Sequence, residues 1–298
     1  MLLSLLLLVA VGDVLSQKLP QFKVEDVELM QMSKKLREAD DNKARPGQIS
    51  INYQGQVKDT QDNAPKEFFS KVDSKLLEGP SFSQFIDMMD NFNRKVGIEE
   101  PRVSREEEKR EVKAFLTTIL ASKPWKILYS FLNSKGHPYA ENPTIFRKWI
   151  KRLWFKHYSR SKGKIDSSGF EHVFIGEEKK KEVSGLHNWV RFYLLERNRT
   201  EDLDYKGYIL QRGNVMASLR FTWQGALKPS GSLLIGTSPE YDMALYTLCF
   251  LSRRGKCQVE LDGCPLSITS YDLVQNDKIY IGTVYPTAGK KTRTCGEV

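Results

Sequence analysis

Apolar residues change their period partway along the chain. Between Val24 and Tyr158 they recur every three or four positions, the spacing of a helix with one buried face. Val112, Phe115, Leu116, Ile119 and Leu120 form such a face. The run Ser104-Arg105-Glu106-Glu107 ahead of them has the form of a capping box. Pro124 is expected to end or kink that helix, and a further helix is predicted over Pro143–Tyr158. The polar stretch from Gly47 to Pro65, broken by glycine and proline, reads as a loop with a short strand at Ile49–Tyr53.

From Gly169 onward the period becomes two, the signature of half-buried strands. Val215–Trp223 alternates most clearly; Ala244–Leu251 and Lys278–Tyr285 are also predicted as strands. Turns at Gly225, Gly231, Gly236, Gly255 and Gly263 separate them. One helix interrupts, over Val183–Arg197, with Leu186, Trp189, Val190, Tyr193 and Leu194 as its buried stripe. No repeat is present. The pattern predicts an α+β protein, with a mainly helical part over about residues 24–160 packed on antiparallel β-sheets over about 165–298.

Composition adds a cellular setting. The first residues, MLLSLLLLVAVGDVLS, are too short a run to span a bilayer and read as a secretory signal cut after Ser16, leaving a domain over 17–298. No later segment reaches the ~20 apolar residues of a membrane helix. Secretion gives meaning to Cys249, Cys257, Cys264 and Cys295, for which three disulfide pairings are open. It also gives meaning to Asn198-Arg199-Thr200, a glycosylation sequon. The net charge of +9 favours a polyanionic partner. Arg147–Lys164 holds eight Lys and Arg interleaved with aromatic residues. That run suits RNA phosphates and bases, although Ile150, Leu153 and Trp154 share one helical face and point to a core role for the aromatics.

Two of the four histidines, His172 and His187, fall within GFEHVFIGEEKKKEVSGLHNW. His172 lies in a strand-like run. His187 is placed in the first turn of the Val183–Arg197 helix, where the dipole disfavours imidazolium and favours phosphate. Two imidazoles flanking one phosphate can remove a proton from a 2′-hydroxyl and protonate the departing 5′-oxygen. A cation must then stabilise the phosphorane; Lys228, expected in a turn between strands, is the candidate. Glu171 and Glu177 could orient a histidine or bind an ion. The run Glu177–Glu182 reads as a solvated turn, with its lysines as lesser candidates for RNA contact.

The segments GFEHVFIGE, SGLHNWVRFYLLE, WQGALKPSGS and IGTVYP, in this order, resemble the EndoU family, the poly(U)-specific endoribonucleases of animals. The resemblance spans about Val24 to Tyr285. It implies a catalytic set of His172, His187 and Lys228 on the β-rich half. It implies a uridine site of Ser232, Thr283 and Tyr285. It also implies cleavage of single-stranded RNA 3′ of uridine to 2′,3′-cyclic phosphate ends, with manganese required or stimulating. The physics of the last strand agrees: Thr283 and Tyr285 are two apart and share a face. No metal-ligand spacing stands out in the sequence. DNA is not an expected substrate, and a monomer without membrane attachment is expected. The rival from another class is a secreted RNA-binding protein of the same fold that does not cleave. A serine protease is disfavoured, because no GxSxG is present and Ser232 has no protease-type base-and-acid pair.

Overall fold

The computed structural model describes residues 19–20, 22–58, 61–98, 105–161 and 163–295. The expected signal segment, residues 1–16, and Ser104 of the capping box lie outside them. Helices α1 (Asp26–Glu38), the single-turn α2 (Ser74–Leu77), α3 (Pro80–Asp87), α4 (Arg105–Ala121), α5 (Lys123–Ser134) and α6 (Pro143–Phe155) come first. A two-stranded ribbon of β1 (Ile49–Ile51) and β2 (Phe69–Val72) is inserted among them. Two sheets follow. One has the order β3-β4-β7-β6-β5, from β3 (Glu177–Lys179), β4 (Glu182–Ser184), β5 (Leu203–Arg212), β6 (Met216–Trp223) and β7 (Ala226–Leu234). The other has the order β10-β9-β8, from β8 (Gly255–Leu261), β9 (Cys264–Gln275) and β10 (Lys278–Ala288). Helices α7 (Trp189–Arg197) and α8 (Pro239–Ser252) complete the α+β fold. The named pairings are antiparallel, except for a parallel contact of Glu182 with Leu227 between β4 and β7.

The amphipathic helices form as their spacing predicts. Helix α4 stops at Ala121, and Pro124 sits in the first turn of α5, where a missing N–H costs nothing. In α6 the Asn142 side chain accepts from Ile145 N at 2.9 Å and caps the helix. Phe146, Ile150, Leu153 and Trp154 are its buried face. Each such side chain contributes about 1.5–3 kcal/mol by leaving water. The Trp154 indole N–H donates to Thr247 Oγ1 at 2.9 Å, fixing α6 against α8. Trp149 stacks on Tyr139 at 3.6 Å. These aromatics of the basic stretch therefore belong to the fold, while Lys148, Lys151 and Lys156 face solvent. The helix ends at Phe155, three residues before the expected Tyr158, which instead pairs with Ser167 in an isolated bridge.

The strand expected at Ala244–Leu251 is part of α8. Every residue of α8 is buried, so the run is apolar on all sides and shows no helical period. Its start is marked by Ser238, whose hydroxyl accepts from Tyr241 N at 3.1 Å, and by Pro239 at the first position. The helix expected at Val183–Arg197 begins only at Trp189. Val183 and Ser184 lie in β4, and Leu186 is buried ahead of the helix. Its buried stripe is Trp189, Val190, Phe192 and Leu195, with Tyr193 and Leu194 half-buried. The Glu177–Glu182 run is a β-hairpin rather than a free turn. Disulfides join Cys249 to Cys257 and Cys264 to Cys295. They tie α8 to β8, and β9 to the C-terminal segment.

Asp242 of α8 is wholly buried, and desolvation raises its carboxyl to about 8 against 3.8 for a free group. The folded state thus holds a proton that the unfolded chain releases, so this group costs stability increasingly as pH rises from about 4 to about 8. Asp242→Asn should melt at a higher temperature than the parent at pH 8. The gap should shrink towards pH 4. Thermal melts across that range check it; a lower melting temperature for the variant at pH 8 would contradict the assignment.

Candidate active site

His172 sits in a π-helical turn, Glu171–Ile175, and not in a strand. Ser168 Oγ accepts from Glu171 N at 3.1 Å at the start of the turn, and Gly176 N donates to Glu171 O at 2.9 Å at its end. Phe170, Val173 and Phe174 are drawn into the core. The His172 ring is held at both nitrogens. Nδ1 lies 2.7 Å from Glu177 Oε2, and Nε2 lies 3.1 Å from Thr283 Oγ1. Arg160 Nε stands 3.4 Å from the same Glu177 oxygen. Its guanidinium also donates to Tyr158 Oη at 2.6 Å and to the Gly282 carbonyl. Arg160 therefore links the carboxylate behind His172 to the strand that carries Thr283.

His187 lies just before the N-cap of α7, not within its first turn. The chain reaches it through Gly185 (φ +69°) and Leu186 (φ +61°). Leu186 N donates to His172 O at 3.1 Å and His187 N to Val173 O at 2.7 Å. These bonds lash the second histidine's backbone to the first histidine's turn. The Asn188 side chain then caps α7, accepting from Arg191 N at 3.1 Å. His187 Nδ1 is 2.8 Å from Ser232 O. A carbonyl only accepts, so Nδ1 carries the proton and Nε2 keeps its lone pair when the ring is neutral. The Tyr285 ring stacks against His187 with centroids 5.3 Å apart.

Lys228 is a residue of β7, not of a turn. In β7 Lys228 pairs with Phe221 and Gly231 with Leu219, so a β-bulge falls between them; across it Lys228, Ser230 and Ser232 all line the same cleft. His172, His187, Lys228, Ser232, Thr283 and Tyr285 line a single cleft of about 470 Å³. The sequence reading missed Ser184, Gly185, Ser218 and Ser230, which also line it. Ser218 Oγ lies 3.0 Å from Ser230 Oγ. The Gly-Leu-His run was the available signal for Gly185; isolated serines carry none. Glu177 contacts His172 as one of its two readings required. Glu171 is buried in the turn and does not line the cleft, and Asn198 is exposed at the far end of α7.

Burial governs the charges here. Desolvation, helped by the Lys228 charge, holds His187 well below 6.5 despite its carbonyl partner. The helix dipole is not needed for that shift. Desolvation also lowers His172, opposed by Glu177 and reinforced by Arg160. Lys228 falls to about 8 on burial, with Glu182 pulling the other way. The cleft is thus a cation-bearing pocket with two largely buried imidazoles, suited to an anionic ligand.

Among the described residues no set of side chains is arranged to hold manganese as a resident ion: no group of three or more His, Cys, Asp and Glu side chains converges. No carboxylate is among the residues lining the cleft, and Glu177 is engaged by His172 and Arg160. Hard divalent ions favour oxygen donors.

Gly185 is where the two histidine segments touch. A Cβ there would lie 1.7 Å from the His172 carbonyl oxygen, and the positive φ already disfavours any other residue. Gly185→Ala should separate the segments, lowering stability by about 2 kcal/mol or more and abolishing function of the cleft. Melting temperature together with turnover would check this. A variant with parental stability and activity would mean that the contact is dispensable.

The profile of the family Endoribonuclease XendoU matches residues 28–286. The uridylate-specific endoribonuclease of Bos taurus is 39% identical over 273 residues, covering 87% of this chain and 64% of that protein. The chain likewise covers 65% of the Homo sapiens protein of that name, so it spans less than two thirds of these mammalian relatives. Uridylate-specific endoribonuclease D of Xenopus laevis is 35% identical, with 88% of each chain covered. The solved structure of XendoU, described as a splicing-independent snoRNA-processing endoribonuclease, superposes with a TM-score of 0.74 at 34% identity. It covers 91% of this chain and 99% of that one. The matched family profile, relatives and fold together establish that this chain belongs to the XendoU endoribonuclease family.

Proposed function

We propose that the chain is an endoribonuclease that cleaves single-stranded RNA 3′ of uridine by transphosphorylation. The observation that carries the reading is the Nδ1–H of His187 donated to the Ser232 carbonyl at 2.8 Å. It leaves Nε2 as an unprotonated base facing the cleft. His187 Nε2 removes the proton of the uridine 2′-hydroxyl. The 2′-oxygen attacks the adjacent phosphorus, and the P–O5′ bond breaks. His172 gives the 5′-oxygen its proton from Nε2, while the Glu177 carboxylate at Nδ1 stabilises the imidazolium that precedes transfer. A bound phosphodiester supplies the negative charge that raises His172 towards that protonated state. Lys228 balances the charge on the phosphorane. The products are a 2′,3′-cyclic phosphate and a free 5′-hydroxyl. DNA lacks the nucleophile and is not a substrate.

Thr283, Ser232 and Tyr285 fit the uridine. The Ser232 hydroxyl offers a hydrogen bond to the pyrimidine edge, and Tyr285 an aromatic face beside His187. The two disulfides and the sequon at exposed Asn198 support a secreted, glycosylated protein. Thr200 Oγ1 donates to Asn198 Oδ1 at 2.8 Å. Among the described residues no helix is long and apolar enough to cross a membrane.

His187→Ala should lower cleavage by about 10²–10⁴-fold, the range for one general base. In the unaltered protein, kcat/KM should rise with pH through a midpoint below 6.5, because His187 is depressed and must be neutral to act. It should fall again no later than about 8, where Lys228 loses its charge. A rising limb centred at or above 6.5 would remove His187 from the role of base.

An RNA with a single 2′-deoxyuridine at the only uridine position should bind and remain intact. Scission of that analogue would point to activated water in place of the 2′-oxygen.

A further inference from the structure

Strands β3 and β4 pair Lys179 with Glu182, which leaves Lys180 and Lys181 as a two-residue turn. Both have positive φ, +54° and +63°. Such a turn matches the twist of the hairpin but demands the left-handed region twice, and Asn-Gly is the favoured pair. Two lysines there hold a backbone conformation that side-chain-bearing residues disfavour. The fold shows no return for it. Both side chains are exposed, and neither ammonium has a hydrogen-bond or ion-pair partner among the described residues.

The hairpin is nevertheless firmly held. Glu178 N donates to Arg94 O at 2.6 Å and Val96 N to Glu178 O at 3.0 Å along its outer edge. Lys179 Nζ donates to Arg160 O at 3.0 Å. Leu227 N donates to Lys181 O at 3.1 Å on its inner edge, one residue from Lys228. The root of the hairpin is the active cleft itself. Glu177 at one end holds His172, and Ser184 at the other lines the cleft. From Ser184 to Lys181 is three residues, or about 10 Å of strand. Two unpaired cations are thus presented within about 10 Å of strand from a residue that lines the cleft.

We infer that the tip of this hairpin, through Lys180 and Lys181, binds backbone phosphates of RNA flanking the scissile linkage. The inference rests on the proposed reading of the cleft as an RNA-cleaving site. Contacts of this kind are electrostatic and independent of sequence, and they weaken with salt.

The test uses the whole protein and the double variant Lys180→Asn/Lys181→Gly, which installs the sequence the turn prefers. Its melting temperature should be unchanged or higher by about 2–4 °C, so a loss of function cannot be ascribed to unfolding. Binding is read by fluorescence anisotropy with an oligoribonucleotide that carries one 2′-deoxyuridine and several flanking nucleotides. Affinity should fall about tenfold at low salt, and the log–log salt slope should become shallower by about 1.4, the share of two phosphates on a single strand. Lys180→Arg/Lys181→Arg should bind like the parent. Cleavage of a uridylyl-adenosine dinucleotide, which has no flanking phosphates, should be unaffected. Parental affinity and salt slope in the Asn-Gly variant would overturn the inference, as would an equal loss of rate on the dinucleotide. Failure of the unaltered protein to cleave any RNA would overturn the proposed function. The anisotropy result would still decide on the hairpin.

Discussion

Two backbone hydrogen bonds, from Leu186 N to His172 O and from His187 N to Val173 O, bring the cleft into being. They join a π-helical turn to the loop that enters α7, and they need Gly185 because no side chain fits against the His172 carbonyl. Everything chemical follows from this junction. The two imidazoles arrive from separate segments yet open into one cleft. The strands then add what the turn and loop lack: Lys228 and Ser232 from β7, Thr283 and Tyr285 from β10. Because the contact is between main chains, it fixes position with little dependence on side-chain rotamers.

The junction also makes the histidines unequal. His187 is anchored by a carbonyl, which selects the tautomer and offers a proton-bearing ring little help. His172 is anchored by a carboxylate, which stabilises imidazolium. Burial depresses both, and the nearby Lys228 charge deepens the effect at His187. A ring held neutral and a ring that can be charged are therefore set by what stands behind each, the pair that the proposed mechanism uses as base and acid. Arg160 extends the arrangement outward. By touching Glu177, Tyr158 and the Gly282 carbonyl, it ties the carboxylate to the strand bearing Thr283.

Much of this was readable in the sequence, and the failures have physical causes. Helices α4 and α6 were legible because each has one apolar face. Helix α8 was not, because a helix buried on all sides has no period to detect; the Ser238-Pro239 start was its only local mark. Asn188 is a good cap residue, yet the apolar positions before it pulled the predicted start of α7 back to Val183. The histidines and Lys228 stand out by motif, but their backbone states differ from those the local pattern predicts. A π-helical turn has no hydrophobic signature distinct from a strand over five residues. The contact between His172 and Glu177 depends on that turn running into β3, which no spacing rule encodes. The disulfide pairing depends on how α8 lies against β8 and on where the C-terminal segment returns to β9, both tertiary facts.

Anchoring by a carbonyl and by a carboxylate should give the two rings different protonation states. Nitrogen-15 chemical shifts of the imidazoles, followed through a pH titration of the free protein, measure this directly. At pH 7 His187 should be neutral with its proton on Nδ1. As pH falls, His172 should take up its second proton before His187 does. A His187 ring protonated on Nε2, or one that becomes imidazolium ahead of His172, would contradict this assignment.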